Sequence, residues 1–311
     1  MLTLFTCPKP FRNHIGVIQT NALRSWLELG SEVEVLLIGD VTGMADIASA
    51  IGIRRIAGVE TNDEGTPLVS SVFRLARANA RHGILCYLNS DVLLLDDFLP
   101  TVRRVRERLE RFLIVGQRWD LGIRQALPFE PSWQESLRLQ IQEGGRRHPP
   151  VGSDYFVFPR GLFAEIPSFA LGRAGWDNWM IFAGRREKIP VVDASAAITV
   201  VHQDHDYSHL PGGQPHYRLP ESARNLSLAG GREAVFKLSD ADWVLGTSGL
   251  RRRGVSEVGF KRWLETQVTI RLGPGKLAQL ARMILNPGET MRYIFGSANA
   301  KKQGPFAGPE S

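Results

Sequence analysis

The stretch 84-ILCYLNSDVLLL-95 decides how the chain reads. Mostly apolar residues from Ile84 to Leu88 run into Asn89, Ser90 and Asp91, and an apolar run from Val92 to Leu95 follows. Short apolar runs bounded by polar residues read as buried strands. A carboxylate set between two of them leaves water, at a cost of several kcal/mol unless something pairs with it. Asn-Ser-Asp is good turn chemistry, so a turn is one reading. A turn should bring a change of polarity, however, and here the chain continues as Val-Leu-Leu-Leu. Asp91 is therefore read as an oxygen ligand for a hard cation, Mg2+ or Mn2+, bound through few protein groups and completed by phosphate oxygens.

The flanking segments alternate in period. "LTLFTC" (2–7), "EVEVLLIGD" (32–40) and "IRRIAGV" (53–59) read as strands. "HIGVIQTNALRSWLEL" (14–29), "GMADIASAIG" (43–52) and "PLVSSVFRLARANARHG" (67–83) carry apolar residues at helical spacing. Strands and helices repeating at this pitch predict βαβ units and an open, mainly parallel α/β sheet flanked by helices. In such sheets ligands bind beyond the carboxyl ends of the strands, which is where Asp91 falls. "TCPKPF" stands where a dinucleotide-binding fold has its glycine-rich turn, which argues against NAD or FAD.

The chain has 311 residues, with 43% hydrophobic and 23% charged side chains, ordinary values for a soluble globular protein. Its two cysteines, Cys7 and Cys86, sit in apolar runs, which predicts neither a disulfide framework nor structural zinc and fits a cytoplasmic protein. "MLTLFTCPKPF" lacks the pattern of a signal peptide, and no window is apolar enough to span a membrane. The net charge of +6 is uneven: residues 251–311 hold eleven Lys/Arg against four Asp/Glu. The main domain is thus close to neutral, and no nucleic-acid partner is expected.

Two further clusters carry chemistry. "VVHQDHDYSH" (200–209) gathers His202, Asp204, His205, Asp206, Tyr207 and His209 just past a predicted strand. His202, nearest the strand end, is the expected metal ligand, with His205 and Asp206 expected instead to touch substrate; the spacing alone does not choose among His202, His205 and His209. In "GWDNW", Asp177 lies between Trp176 and Trp179. It reads either as a helix N-cap or as a carboxylate placed to take a proton, with the indoles as walls for sugar rings; one residue can hold both roles.

Taken in order, these residues resemble the GT-A glycosyltransferases, nucleotide-sugar-dependent enzymes, and are similar to glycosyltransferase family 2. "SSVFRLARANARHGILCYLNSDVLLL" looks like that family's helix, strand and DxD-type motif, with Asn89 in place of the first carboxylate. The resemblance covers about residues 2–210 by motif order. It implies that Asp91 and His202 hold Mn2+ or Mg2+ and that Asp177 is the general base. It further implies that Thr6, Pro8 and Asp40 meet the nucleotide base and ribose, that Arg74 and Asp154 meet the diphosphate and donor sugar, and that Asn89 and Ser90 line the same site. Trp176 and Trp179 would face the acceptor. The implied donor is a nucleoside-diphosphate sugar, UDP-linked first, and the implied acceptor a glycan or lipid-linked hydroxyl, as in polysaccharide biosynthesis.

The expected organisation is a catalytic domain over 1–225, with its nucleotide-sugar half at 1–100 and acceptor half at 101–225, then a basic helical extension over 226–296 and a disordered tail over 297–311. The segment 250–285 sets basic residues beside Trp263, Leu264, Ile270, Leu277, Leu280 and Ile284. It is read either as a helical cap with a solvated basic face or as a contact with anionic membrane at the inner face. Two other functions remain as alternatives: a sugar nucleotidyltransferase, against which the missing glycine run speaks, and a carbohydrate- or nucleotide-binding protein without transfer, which Asn89 favours.

Overall fold

The structure is a computed structural model that describes residues 1–206, 213, 215–288 and 291. In chain order it holds β1 (Leu2–Thr6), α1 (Asn13–Leu27), β2 (Val33–Ile38), α2 (Met44–Ile51), β3 (Arg54–Ile56), α3 (Val69–Asn79) and β4 (Ile84–Leu88). There follow β5 (Val92–Leu94), α4 (Phe98–Arg106), β6 (Leu113–Val115), β7 (Trp119–Leu121), α5 (Trp133–Gly144), β8 (Arg146–Arg147), β9 (Tyr155–Pro159) and α6 (Trp176–Arg186). The rest comprises β10 (Val191–Asp193), β11 (Val200–Gln203), α7 (Pro220–Ala229), β12 (Trp243–Gly246), β13 (Gly249–Arg252), α8 (Val255–Val258), α9 (Phe260–Leu272) and α10 (Lys276–Leu285).

Nine strands form one sheet in the order β13-β12-β10-β6-β9-β4-β1-β2-β3. The pairs among β3, β2, β1 and β4 and among β6, β10 and β12 are parallel. Only β9, between β4 and β6, and the edge strand β13 run the other way. The expected open, mainly parallel α/β sheet flanked by helices is thus the architecture observed.

Strand side chains alternate between faces, and here each face has its own core. Phe5, Leu85, Tyr87, Phe156 and Phe158 face α3 and α6. Leu4, Cys86, Leu88, Tyr155 and Val157 face α1, α2 and α4. Burial on both sides is why the parallel strands read as unbroken apolar runs.

The opening stretch crosses from one sheet to another. Residues 84–88 are β4, but Val92–Leu94 belong to a four-stranded sheet, β5-β11-β7-β8. Val92 N–H donates to the Asn89 carbonyl at 3.3 Å, closing the turn. Turn chemistry and a buried carboxylate are therefore both present, and "VLLL" stays apolar because Leu93 and Leu95 pack on Trp133, Leu137 and Ile141 of α5.

The extension expected over 226–296 is not purely helical. β12 and β13 lie within it and join the large sheet beside β10, so the sheet runs past residue 225. Their few residues, with exposed Arg251 and Arg252, gave the sequence no clear two-residue period. Helices α8, α9 and α10 follow, and the tail at 297–311 lies outside the described residues. Among the described residues no helix is long and apolar enough to cross a membrane.

Candidate active site

Parallel strands bring their carboxyl ends to one edge. Thr6 ends β1 and Pro8 follows it, Asp40 follows β2 and Asn89 follows β4 at that edge. Because β9 is antiparallel to β4, with Leu88 opposite Tyr155, its start also lies there and delivers Asp154. Arg118 follows β6. The small sheet supplies the rest: its register sets His202 of β11 between Val92 of β5 and Asp120 of β7.

Asp91 is 5% exposed. Its Oδ2 lies 3.3 Å from Lys9 Nζ and 3.2 Å from His205 Nε2, and its Oδ1 lies 3.8 Å from His202 Nε2. Burial alone would raise its pKa, but the Lys9 ammonium and the two histidines more than offset this and hold the carboxyl well below the usual carboxylate range. Asp91 is therefore an anion. Among the described residues its buried Oδ1 has no hydrogen-bond partner, and neither has His202 Nδ1, which lies 3.5 Å from Asp120 Oδ1 and 3.8 Å from Asp204 Oδ1.

Asp91, His202 and His205 form one group that could hold a cation, and Asp120, His202 and Asp204 form a second. Such mixed oxygen and nitrogen donors, with an orphaned carboxylate oxygen among them, could take a divalent cation. His209 and Tyr207 lie outside the described residues.

A second network braces this one. Arg118 donates from Nε to Asp120 Oδ1 at 2.7 Å and from Nη1 to Asp154 Oδ2 at 2.6 Å. His148 Nδ1 lies 3.0 Å from Asp120 Oδ2. Between the two carboxylates the guanidinium pKa is raised despite burial, and Asp120 is held well below the usual range by His148 and Arg118. Asn89 spends its amide on this network: Nδ2 donates to Asp154 Oδ1 at 2.7 Å, and Oδ1 accepts from Tyr87 Oη at 3.0 Å. Ser90 Oγ donates to Gln19 Oε1 at 2.7 Å.

Asp177 is the second residue of α6, after Gly175 in a left-handed conformation. Burial raises its carboxyl pKa to about 6; nearby Asp154 adds to the rise, while the backbone N–H groups of the first turn oppose it. Gly152 leaves it room, because a Cβ there would stand 2.3 Å from Asp177 Oδ2.

Several sequence-predicted residues sit elsewhere. Trp176 is in the core, its ring against Tyr87, Phe73 and Phe156, so it supports the site from beneath and offers no face to a sugar. It points inward because a bulky indole at the start of α6 meets the aromatic face of the large sheet. Trp179 is half-buried on Phe169. Arg74, on exposed α3 surface, pairs with Glu60 at 2.7 Å and lines a groove of about 570 Å3 with Arg77 and Arg160, away from the Asp91 group. His205 belongs to the Asp91 group, whereas Asp206 is exposed beside it. Thr6 and Pro8 are buried at the edge, and Asp40 is exposed, 3.5 Å from Arg55.

Sequence reading missed Lys9, Gln19, Arg118, Asp120 and His148. Only Gln19 left a trace, as an amide on the apolar face of a helix beside Ile18 and Ala22.

No protein-family model matches the sequence, and no curated protein does. Solved structures of similar shape include the mannosyltransferase PcManGT of Pyrobaculum calidifontis, in complex with GDP-Man and Mn2+, at 12% identity over 96% of this chain and 77% of that one, TM-score 0.48. Another is glucosyl-3-phosphoglycerate synthase of Mycobacterium tuberculosis, with Mn2+, UDP and phosphoglyceric acid, at 16% identity over 74% of this chain and 78% of that one, TM-score 0.46. A third is S. aureus TarS 1–349, at 10% identity over 96% of this chain and 73% of that one, TM-score 0.43. What this chain shares with these glycosyl-transferring proteins is a similar layout of sheet and helices.

Proposed function

We propose that the protein transfers a sugar from a nucleoside-diphosphate sugar to an acceptor hydroxyl. The observation that carries this reading is the buried Asp91 carboxylate, with one orphaned oxygen and two histidines in reach, at the carboxyl edge of an open sheet. Asp91 and His202 would hold Mn2+ or Mg2+, with His205 as a further nitrogen donor. That ion would offset the negative charge gathering on the leaving diphosphate. Thr6, Pro8 and Asp40, at the same edge, would meet the base and ribose. Asp154, fixed by Arg118 and Asn89, stands ready to accept from sugar hydroxyls.

Asp177 would take the acceptor proton. A carboxyl with its pKa near 6 is ionised at pH 7 and more basic than a free aspartate. As the acceptor oxygen bonds to the anomeric carbon, the bond from that carbon to the phosphate oxygen breaks, and the proton passes to Asp177. Loss of the carboxylate should cut turnover by about 10²–10⁴-fold.

The test is a thermal-shift screen with UDP, GDP, CDP, ADP and dTDP, each with Mn2+, Mg2+ or EDTA. A ligand at about 100 times its dissociation constant adds about 2.7 kcal/mol. Stabilisation by one nucleotide only with metal, lost in Asp91→Ala, is expected. No shift under any condition would remove the reading.

The acceptor side extends to lipid in this proposal. On α10, Leu277, Leu280 and Ile284 are exposed at spacings of three and four, flanked by exposed Lys276 and, on α9, Lys261 and Arg271. A basic helix with an outward apolar stripe suits an anionic membrane surface, where a lipid-linked acceptor would reside. Binding to anionic vesicles that falls with salt and is lost in Leu280→Glu/Ile284→Glu is expected; equal binding by the variant would leave a merely solvated cap.

A further inference from the structure

Lys9 occupies the place where Asp91 and His205 would meet a cation. Its Nζ is 3.3 Å from Asp91 Oδ2 and 3.2 Å from His205 Nε2, while those two atoms are 3.2 Å apart. The three groups close a triangle, and two of the atoms within reach of a cation bound by Asp91, His202 and His205 are ones the ammonium already touches. A divalent cation and an ammonium cannot share that corner, because like charges at such separations repel strongly where water is scarce.

The backbone beneath is pinned. Lys9 N–H donates to Gln19 Oε1 at 2.7 Å, and Gln19 Nε2 returns a bond to the Lys9 carbonyl at 2.8 Å. Pro8 and Pro10 flank the residue and restrict the chain further. The side chain itself is 32% exposed, so its long stem has open space to swing into. The partners of the site's other large cation are fixed: Arg118 is held between Asp120 and Asp154. Lys9 is thus a partly exposed charge on a backbone held by Gln19.

We infer that Lys9 is the resident counter-ion of Asp91, that a divalent cation must displace it to bind there, and that the displaced ammonium then contacts the phosphates of a nucleoside diphosphate. The inference rests on the metal-assisted reading proposed above. It makes metal and nucleotide binding mutually supporting: phosphate gives the released ammonium a new partner, so the ion is held weakly alone and firmly with nucleotide.

The experiment measures Mn2+ binding directly, by electron paramagnetic resonance of the free ion, first without nucleotide and then with UDP or GDP. In Lys9→Met, Mn2+ alone should bind at least about tenfold more tightly than in the unaltered protein. At saturating Mn2+, the better of the two nucleotides should bind at least about tenfold more weakly. Lys9→Arg, which keeps the charge, should restore weak Mn2+ binding and guards against a fold effect of the methionine. Unchanged or weaker Mn2+ binding in Lys9→Met, with binding still abolished by Asp91→Ala, would overturn the inference and leave the metal site standing. Mn2+ binding that is absent or indifferent to Asp91→Ala in both backgrounds would overturn the metal reading together with the inference.

Discussion

Replacing Asp177 by Asn should make the protein more stable and nearly inactive. The carboxyl pKa rises from the ordinary 3.8 to about 6 in the folded state, mainly because burial disfavours the charge. Between those values the folded state holds a proton that the unfolded chain has lost, so stability falls as pH rises from about 4 to about 6. Roughly two pKa units at about 1.4 kcal/mol each give at most about 3 kcal/mol, the whole of it missing above the folded pKa. With an unfolding entropy of about 2 cal/mol/K per residue over 311 residues, that is about 5 °C in Tm. The amide cannot ionise, so Asp177→Asn should match the unaltered protein near pH 4 and exceed it by up to about 5 °C near pH 7. Differential scanning calorimetry at the two pH values isolates the effect, since every other carboxyl is common to both proteins. Turnover should meanwhile fall about 10²–10⁴-fold, and in the unaltered enzyme it should rise with pH through about 6 as the base ionises. A Tm difference that is the same at both pH values, or turnover within a few-fold of normal, would refute the reasoning.

Other substitutions separate support from chemistry. Arg118→Met strips two buried carboxylates of their shared cation and should cost about 3 kcal/mol or more in urea unfolding. Gly152→Ala puts a Cβ 2.3 Å from Asp177 Oδ2; the carboxylate must shift, and kcat should drop about 10²-fold while Tm barely moves. Trp176→Ala empties a core position under Tyr87 and should destabilise by about 3 kcal/mol, seen as a lowered urea midpoint, with no selective rise in acceptor KM.

The sheet was legible because its strands are buried on both faces and so appear as bare apolar runs. Asp91 was legible for the same reason, as a charge where such a run should continue. His202 was legible as part of a titratable cluster at a strand end. The direction of β9 was not, since "YFVFP" is equally apolar read as a parallel or an antiparallel strand. Asp120 and Arg118 were hidden because β7 has three residues, too few to show a period, and because only the register against β11 makes Asp120 a neighbour of His202. Lys9 reaches Asp91 across 82 residues of chain, a meeting that topology arranges and no local pattern records. Trp176 misled in the opposite sense: aromatic content is visible in sequence, but which way a ring points is decided by what packs beneath it.

The step from Asn89 to Asp91 has a mechanical side. Asn89 is bonded to Asp154 at the end of the large sheet, whereas Asp91 leads into β5, and His202 and Asp120 lie on β11 and β7 of the small one. A ligand gripped by both sets would act as a cross-tie between two separately hydrogen-bonded bodies. The small sheet is also tied through α1, where Trp26 Nε1 donates to the Val92 carbonyl and Gln203 Nε2 to that of Ile18, and through Arg118, which bonds Asp120 and Asp154 together. Occupancy of the site should therefore register in the amide exchange of β5, β7 and β11 before it registers in β1, β2 or β4. Three small residues at a strand end would make a bound ligand a fastener of the fold as well as its cargo.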